Sequence, residues 1–179
     1  MTHQIFPESE TGHVTLDDQP LVRGIFVPAD VSRWGEAMRS SAKHIWIKVS
    51  GKDTMGEWSA WESLVPGRFG VPLHFHIKQD EWFWVLSGEI VFEVGDERFR
   101  LTSGTSLFCP RKVPHRWKSV VDSVSRLLIL AQPTGRLEEF FERFEQLTPD
   151  QVQDAGQISA LFAECEMEVV GPPLEDSVM

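Results

Sequence analysis

From His44 onward the chain is cut into short apolar runs, each closed by a turn signal, and that punctuation leaves few folds open. H-I-W-I-K-V runs to Ser50-Gly51, and W-S-A-W-E-S-L-V to Pro66-Gly67. E-I-V-F-E-V stops at Gly95-Asp96, E-R-F-R-L at Ser103-Gly104 and T-S-L-F-C at Pro110. H-R-W-K-S-V-V reaches Asp122-Ser123, and S-R-L-L-I-L leads into Ala131. With two further runs inside residues 70–88, about eight strands turning every eight to twelve residues make an antiparallel sandwich or barrel. Alternation assigns the faces: Glu89 and Glu93 belong in water, which turns Ile90, Phe92 and Val94 inward.

The flanks read differently. Residues 1–20 are polar and irregular, and His3 and His13 there are read as solvated. Leu21 to Val27 suits a strand ended by Pro28, and Val31 to Ser41 has helical character. After Pro133-Thr134-Gly135 the period changes: Leu137, Phe140, Phe141, Phe144 and Leu147 form the apolar stripe of a helix. Such a stripe is expected to pack on the sheet or on a partner subunit. Thr148, Pro149 and Gln151 are the cap, first-turn proline and capping-box residue of a second short helix, and Ile158 to Glu164 suggest a third. At 179 residues the chain reads as a single domain over 1–179, with an arm at 1–40, a β-barrel at 41–131 and C-terminal helices and tail at 132–179.

Charge and composition exclude several roles. A formal net charge of −10, with no basic stripe among the aromatics, argues against nucleic acid and against an anionic membrane surface. Cys109 and Cys165 are too few for a disulfide framework, the first residues lack the pattern of a signal peptide, and no apolar run reaches transmembrane length. A cytoplasmic location is the expectation. There is no tyrosine, so no mechanism can use one.

Chemistry concentrates in G-V-P-L-H-F-H-I-K-Q-D-E-W-F-W-V-L-S-G, residues 70–88. His74 and His76 are two apart, so on a strand they leave the same face about 7 Å apart, close enough to converge on one ion. Lys78, Gln79 and Asp80 are polar and suit a hairpin connection to a second strand that Glu81 opens, bringing a carboxylate as third ligand. Further on, an inward His115 turns Trp117 inward too and leaves Arg116 and Lys118 to solvent, as their charges require. Imidazoles plus a carboxylate suit one divalent transition ion: iron, nickel, manganese, cobalt, copper or zinc. Phe83 and Val85 share the face of Glu81, and with Trp117 they are the expected apolar wall of a substrate pocket. His44 shares a face with Lys48 and is read as a rim residue.

G-x3-H-x-H-x4-E-x6-G, followed by G-x5-P-x4-H, resembles the paired motifs of the cupin superfamily through Gly70, His74, His76, Glu81, Gly88, Gly104, Pro110 and His115. Three positions depart from that pattern: the first glycine stands one residue closer to the H-x-H, Lys112 replaces a turn glycine, and Ser119 stands where asparagine is common. Q-P-T-G-R-L-E-E-F-F and M-E-V-V-G-P-P-L are similar to the tails of single-domain cupins related to quercetin 2,3-dioxygenases. The resemblance implies a mainly β jelly-roll barrel or sandwich with short C-terminal helices, one metal ion on His74, His76, Glu81 and His115, and often a homodimer.

The activity this implies is a dioxygenase acting on a small aromatic, flavonol-like or enolisable substrate, with substrate and dioxygen on open metal positions and Glu81 as the base for the substrate hydroxyl. In the quercetinase case the heterocycle is cleaved and carbon monoxide released. A metal-dependent isomerase or lyase, and a non-catalytic ligand-binding module, are the alternatives; oxygen dependence separates the first, and an open rather than sealed metal position separates the second.

Overall fold

The apolar runs become strands where their turn signals place them. In a computed structural model of the protein, which describes residues 24–35, 38–40 and 43–175, the chain opens with β1 (Met38–Ser40), β2 (Lys43–Val49) and β3 (Ser59–Val65). Next come β4 (Leu73–His76), β5 (Asp80–Ser87), β6 (Glu89–Val94), β7 (Glu97–Thr102) and β8 (Ser106–Cys109). Strands β9 (His115–Ser119) and β10 (Ser125–Gln132) follow, then helices α1 (Leu137–Glu145), α2 (Pro149–Gln153) and α3 (Ala155–Glu164), and finally β11 (Met167–Gly171).

The strands form two antiparallel sheets, one in the order β1-β2-β3-β10-β5-β8 and the other β11-β4-β9-β6-β7. They face each other as a jelly-roll sandwich, without closing into a barrel. The core lies between them, where Phe83 of one sheet meets Phe92 of the other edge to face at 5.0 Å. Ile90 and Phe92 are fully buried and Val94 half-buried, as expected, but the alternation along β6 is incomplete: Val91 is buried on the other face, and Glu89 and Glu93 are half-buried rather than in water. His44 is exposed on β2.

Three expectations are corrected. Residues 24–28 are irregular rather than a strand, because Phe26 stands 88% exposed with no neighbouring strand to pair with among the described residues; residues 21–23 lie outside them. The described residues between Val31 and Ser41, 31–35 and 38–40, are not helical. Gly35 takes φ +111°, which no helix allows, Ser32 and Gly35 form a β-bridge, and Met38–Ser40 pairs with β2. Nor do β4 and β5 form a hairpin: they belong to opposite sheets, and Ile77 to Gln79 carry the chain across the edge of the sandwich. Gln79 is only 1% exposed on that crossing. His3 and His13 lie outside the described residues.

The C-terminal segment closes one end of the sandwich. Thr148 caps α2 with the reciprocal Gln151 contact that its sequence announces. The apolar stripe of α1 turns Phe140, Phe141 and Phe144 inward, with Phe141 edge-on to Trp61 at 5.3 Å and Phe140 edge-on to Phe162 of α3 at 4.8 Å. Glu138 ties α1 to the body by accepting from the Ser50 hydroxyl at 2.8 Å and the Gly51 N–H at 2.6 Å. The chain then returns as β11, which pairs with β4 and covers the edge of the strand carrying H-x-H.

Candidate metal centre

Three strands bring four donors to one point. His74 and His76 project from β4, and His115 stands directly opposite His74 on β9. Glu81 arrives from the facing sheet, where its neighbours across β10 and β8 are Ala131 and Cys109, small enough to leave the carboxylate room. One donor atom from each of the four lies within 4.8 Å of the others, and all four residues are buried. Ligand bonds of about 2.1 Å put opposite donors about 4.2 Å apart, so the spacing fits one ion.

The hydrogen bonds select the donor atoms. A carbonyl only accepts, so the Pro72 oxygen at 2.8 Å and the Val113 oxygen at 3.1 Å require N–H at Nδ1 of His74 and His115. Their Nε2 lone pairs then face the cluster, the arrangement metal-binding histidines use. His115 Nε2 and His76 Nε2 each lie 3.1 Å from Glu81 Oε2, and neither ring nitrogen of His76 has a hydrogen-bond partner among the described residues. Lone pairs that close repel one another unless a cation sits among them. The donor set therefore fits a divalent ion.

Electrostatics agree with that fit. Burial, reinforced by the neighbouring His115 and His76, pushes the pKa of His74 well below the usual histidine range, so its imidazole stays neutral and able to ligate. Burial acts to raise Glu81, but the close approach of the His76 and His115 rings outweighs it and holds the carboxyl well below its usual range. Cys109, opposite Glu81, is pushed upward by burial and by that carboxylate, so it remains a thiol and is no thiolate ligand.

The loop that presents His115 is fastened from the glutamate's side. Asp80 accepts from the Arg111 backbone N–H at 2.7 Å and from its guanidinium Nε at 3.0 Å, contacts that lower the Asp80 pKa. Lys112 adopts φ +65°, so the turn keeps the left-handed backbone of the glycine it replaces, and its N–H donates to the His76 carbonyl at 2.8 Å. Ser119 is fully buried and shares a hydrogen bond with the Ser125 hydroxyl at 3.1 Å. A carboxylate whose folded pKa is depressed stabilises above its unfolded value, about 3.9, and loses that contribution as pH falls through the folded value. Asp80→Asn is thus expected to lower the urea midpoint at pH 7 and to approach the wild type as pH drops below 4. An unchanged gap at pH 3 would remove the ion pair from this account.

Beside His74, His76 and Glu81 lies a cavity of about 220 Å³, which His115 does not line. Phe83 and Trp117 line it; Val85 does not, because it stands two residues further along β5 and is fully buried in the core. Phe140, Phe162, Trp61 and Met167 also line it, and no strand motif announces them. Phe162 sits edge-on to the His74 ring at 5.4 Å. The only sequence signal for this wall is the phenylalanine stripe of α1, which marks an inward face without saying what it meets.

Fold and cluster together define a jelly-roll sandwich with a buried site of three histidines and one glutamate, able to hold a metal. Residues 60–130 match the family model described as the cupin domain, and with the fold this supports the cupin superfamily. The uncharacterized protein MJ1618 of Methanocaldococcus jannaschii is 25% identical over 72 residues, 40% of this chain and 58% of that protein. The chain therefore spans less than two thirds of that relative's length. Two solved structures share the fold: KdgF from Halomonas sp., with a TM-score of 0.53 and 17% identity over 62% of this chain and 94% of that one, and an RmlC-like cupin from Shewanella frigidimarina, with a TM-score of 0.52 and 18% identity over 63% and 93%. No helix among the described residues is long and apolar enough to cross a membrane.

Proposed function

We propose that the protein is a mononuclear, metal-dependent dioxygenase that acts on a small aromatic or enolisable substrate through its ionisable hydroxyl. The observation that carries this reading is that three of the four clustered donors, His74, His76 and Glu81, line an apolar cavity that opens to the surface, since a purely structural ion would be sealed in. A bound divalent ion would supply a fixed positive charge that favours an ionised substrate oxygen. The neutral His74 would leave that charge undiminished, the Glu81 carboxylate would offset only part of it, and Glu81 is the group proposed to accept the hydroxyl proton. Trp117, Phe83 and Phe162 would exclude water around the reacting carbon atoms. Among the described residues no lysine, tyrosine or second acid lines the cavity to move protons on an isomerase's behalf, which favours the oxygenase over the isomerase reading.

The test is oxygen uptake by untagged protein loaded in turn with each candidate metal and offered a panel of hydroxylated aromatics. Turnover that stops in the absence of oxygen is expected with at least one metal; no oxygen-dependent turnover with any of them would overturn the reading. Loading itself has a second readout. Free metal at about a hundred times its dissociation constant adds about 2.7 kcal/mol to stability, which should appear as a higher thermal midpoint for the wild type and be lost in His115→Ala. An equal rise in the variant would place the metal elsewhere.

A further inference from the structure

The cavity also restricts what can reach its floor. Among the described residues that line it, only His74, His76 and Glu81 carry ionisable side chains, and the indoles of Trp61 and Trp117 are the other side chains with N–H groups. Among the described residues no lysine or arginine is there to meet a phosphate, and no serine, threonine, asparagine or glutamine to pair with the hydroxyls of a sugar. A buried phosphate would face the Glu81 carboxylate instead of a protein cation, and each buried hydroxyl without a partner weakens binding. The mouth is apolar as well: half-buried Phe69, Val71 and Pro72 border it from the segment before β4, and half-buried Val152 and Ile158 border it from the helices.

Size narrows the class further. A cavity of about 150 Å³ accepts one benzene ring, and ordinary drug-sized sites begin near about 300 Å³. At about 220 Å³, walled by Trp61, Trp117, Phe140 and Phe162, this one has room for a substituted ring or two fused rings, and not for the three rings of a flavonol. We infer that the cavity takes an uncharged aromatic of one or two fused rings bearing an ionisable hydroxyl, and that flavonols, sugars and sugar phosphates are excluded. The inference rests on the proposed metal-centre reading only for the hydroxyl's orientation toward the floor; the size and polarity limits come from the walls.

The experiment is calorimetric titration of the zinc-loaded protein, in which zinc is redox-inert, with 2-naphthol, quercetin and glucose 6-phosphate as probes. One equivalent of 2-naphthol is expected to bind at least about tenfold more tightly than quercetin, with no measurable heat from glucose 6-phosphate. Ile158→Trp, at the half-exposed mouth where a larger side chain need not disturb the core, should weaken 2-naphthol about tenfold or more. Phe162→Leu should narrow the preference over quercetin by enlarging the wall. Quercetin or glucose 6-phosphate binding as tightly as 2-naphthol would overturn the inference, as would unchanged 2-naphthol affinity in Ile158→Trp. Preferential 2-naphthol binding by protein that takes up no zinc would instead uphold the cavity's selectivity and count against the metal reading.

Discussion

Replacing Glu81 with glutamine is expected to abolish the proposed turnover and to lower metal affinity by at least about 100-fold, while the sandwich stays folded. Changing even a partner of a metal ligand costs about 10–100-fold, and Glu81 is a member of the donor cluster itself. The substitution keeps the shape of the side chain, so Ala131 and Cys109 still pack beside it. What it removes is the negative charge that lies 3.1 Å from both His76 Nε2 and His115 Nε2, and the only carboxylate that lines the cavity among the described residues, the proposed base. Metal titration by calorimetry, turnover and circular dichroism on the same preparation separate the three effects. Normal turnover would show that Glu81 is neither base nor required ligand.

Gly88→Ala should destabilise the fold by about 3 kcal/mol or more. Gly88 joins β5 to β6 at φ +88°, where an L side chain is strained by about 1–2 kcal/mol. A methyl group there would come within 2.6 Å of the Ser125 Cβ and 2.9 Å of its Cα, so the β10 backbone itself must move; overpacking of this kind costs a further 1–3 kcal/mol, roughly. Urea denaturation of wild type and variant measures the difference. A loss below about 0.5 kcal/mol, the range of an ordinary surface change, would mean that this turn is far softer than its contacts indicate.

Parity along a strand was enough to read much of the site. His74 with His76, Glu81 with Phe83, and His115 with Trp117 each lie two apart, and each pair faces the interior. Connectivity between sheets was not legible in the same way. Lys78, Gln79 and Asp80 have the polarity of a hairpin turn, but a crossing at the sandwich edge uses the same residue types, and only the pairing of β4 with β9 and β11 tells the two apart. The lid over the cavity was hidden for a related reason. A helical period identifies the buried face of α1, yet whether that face meets a core, a partner or an open site depends on elements far away in sequence. β11 was missed because M-E-V-V is short and takes its strand conformation from β4. Lys112 shows a local conflict resolved by context: the left-handed turn survives without its glycine, fixed by the N–H bond to the His76 carbonyl.

The most direct measurement is elemental analysis of protein purified without a histidine tag, run beside the double variant His74→Ala/His115→Ala. The account predicts close to one divalent transition-metal ion per chain in the wild type, removable by chelator and restored on reloading, and none in the variant. Metal-free wild type that takes up no ion on reloading, or equal metal in both proteins, would contradict it.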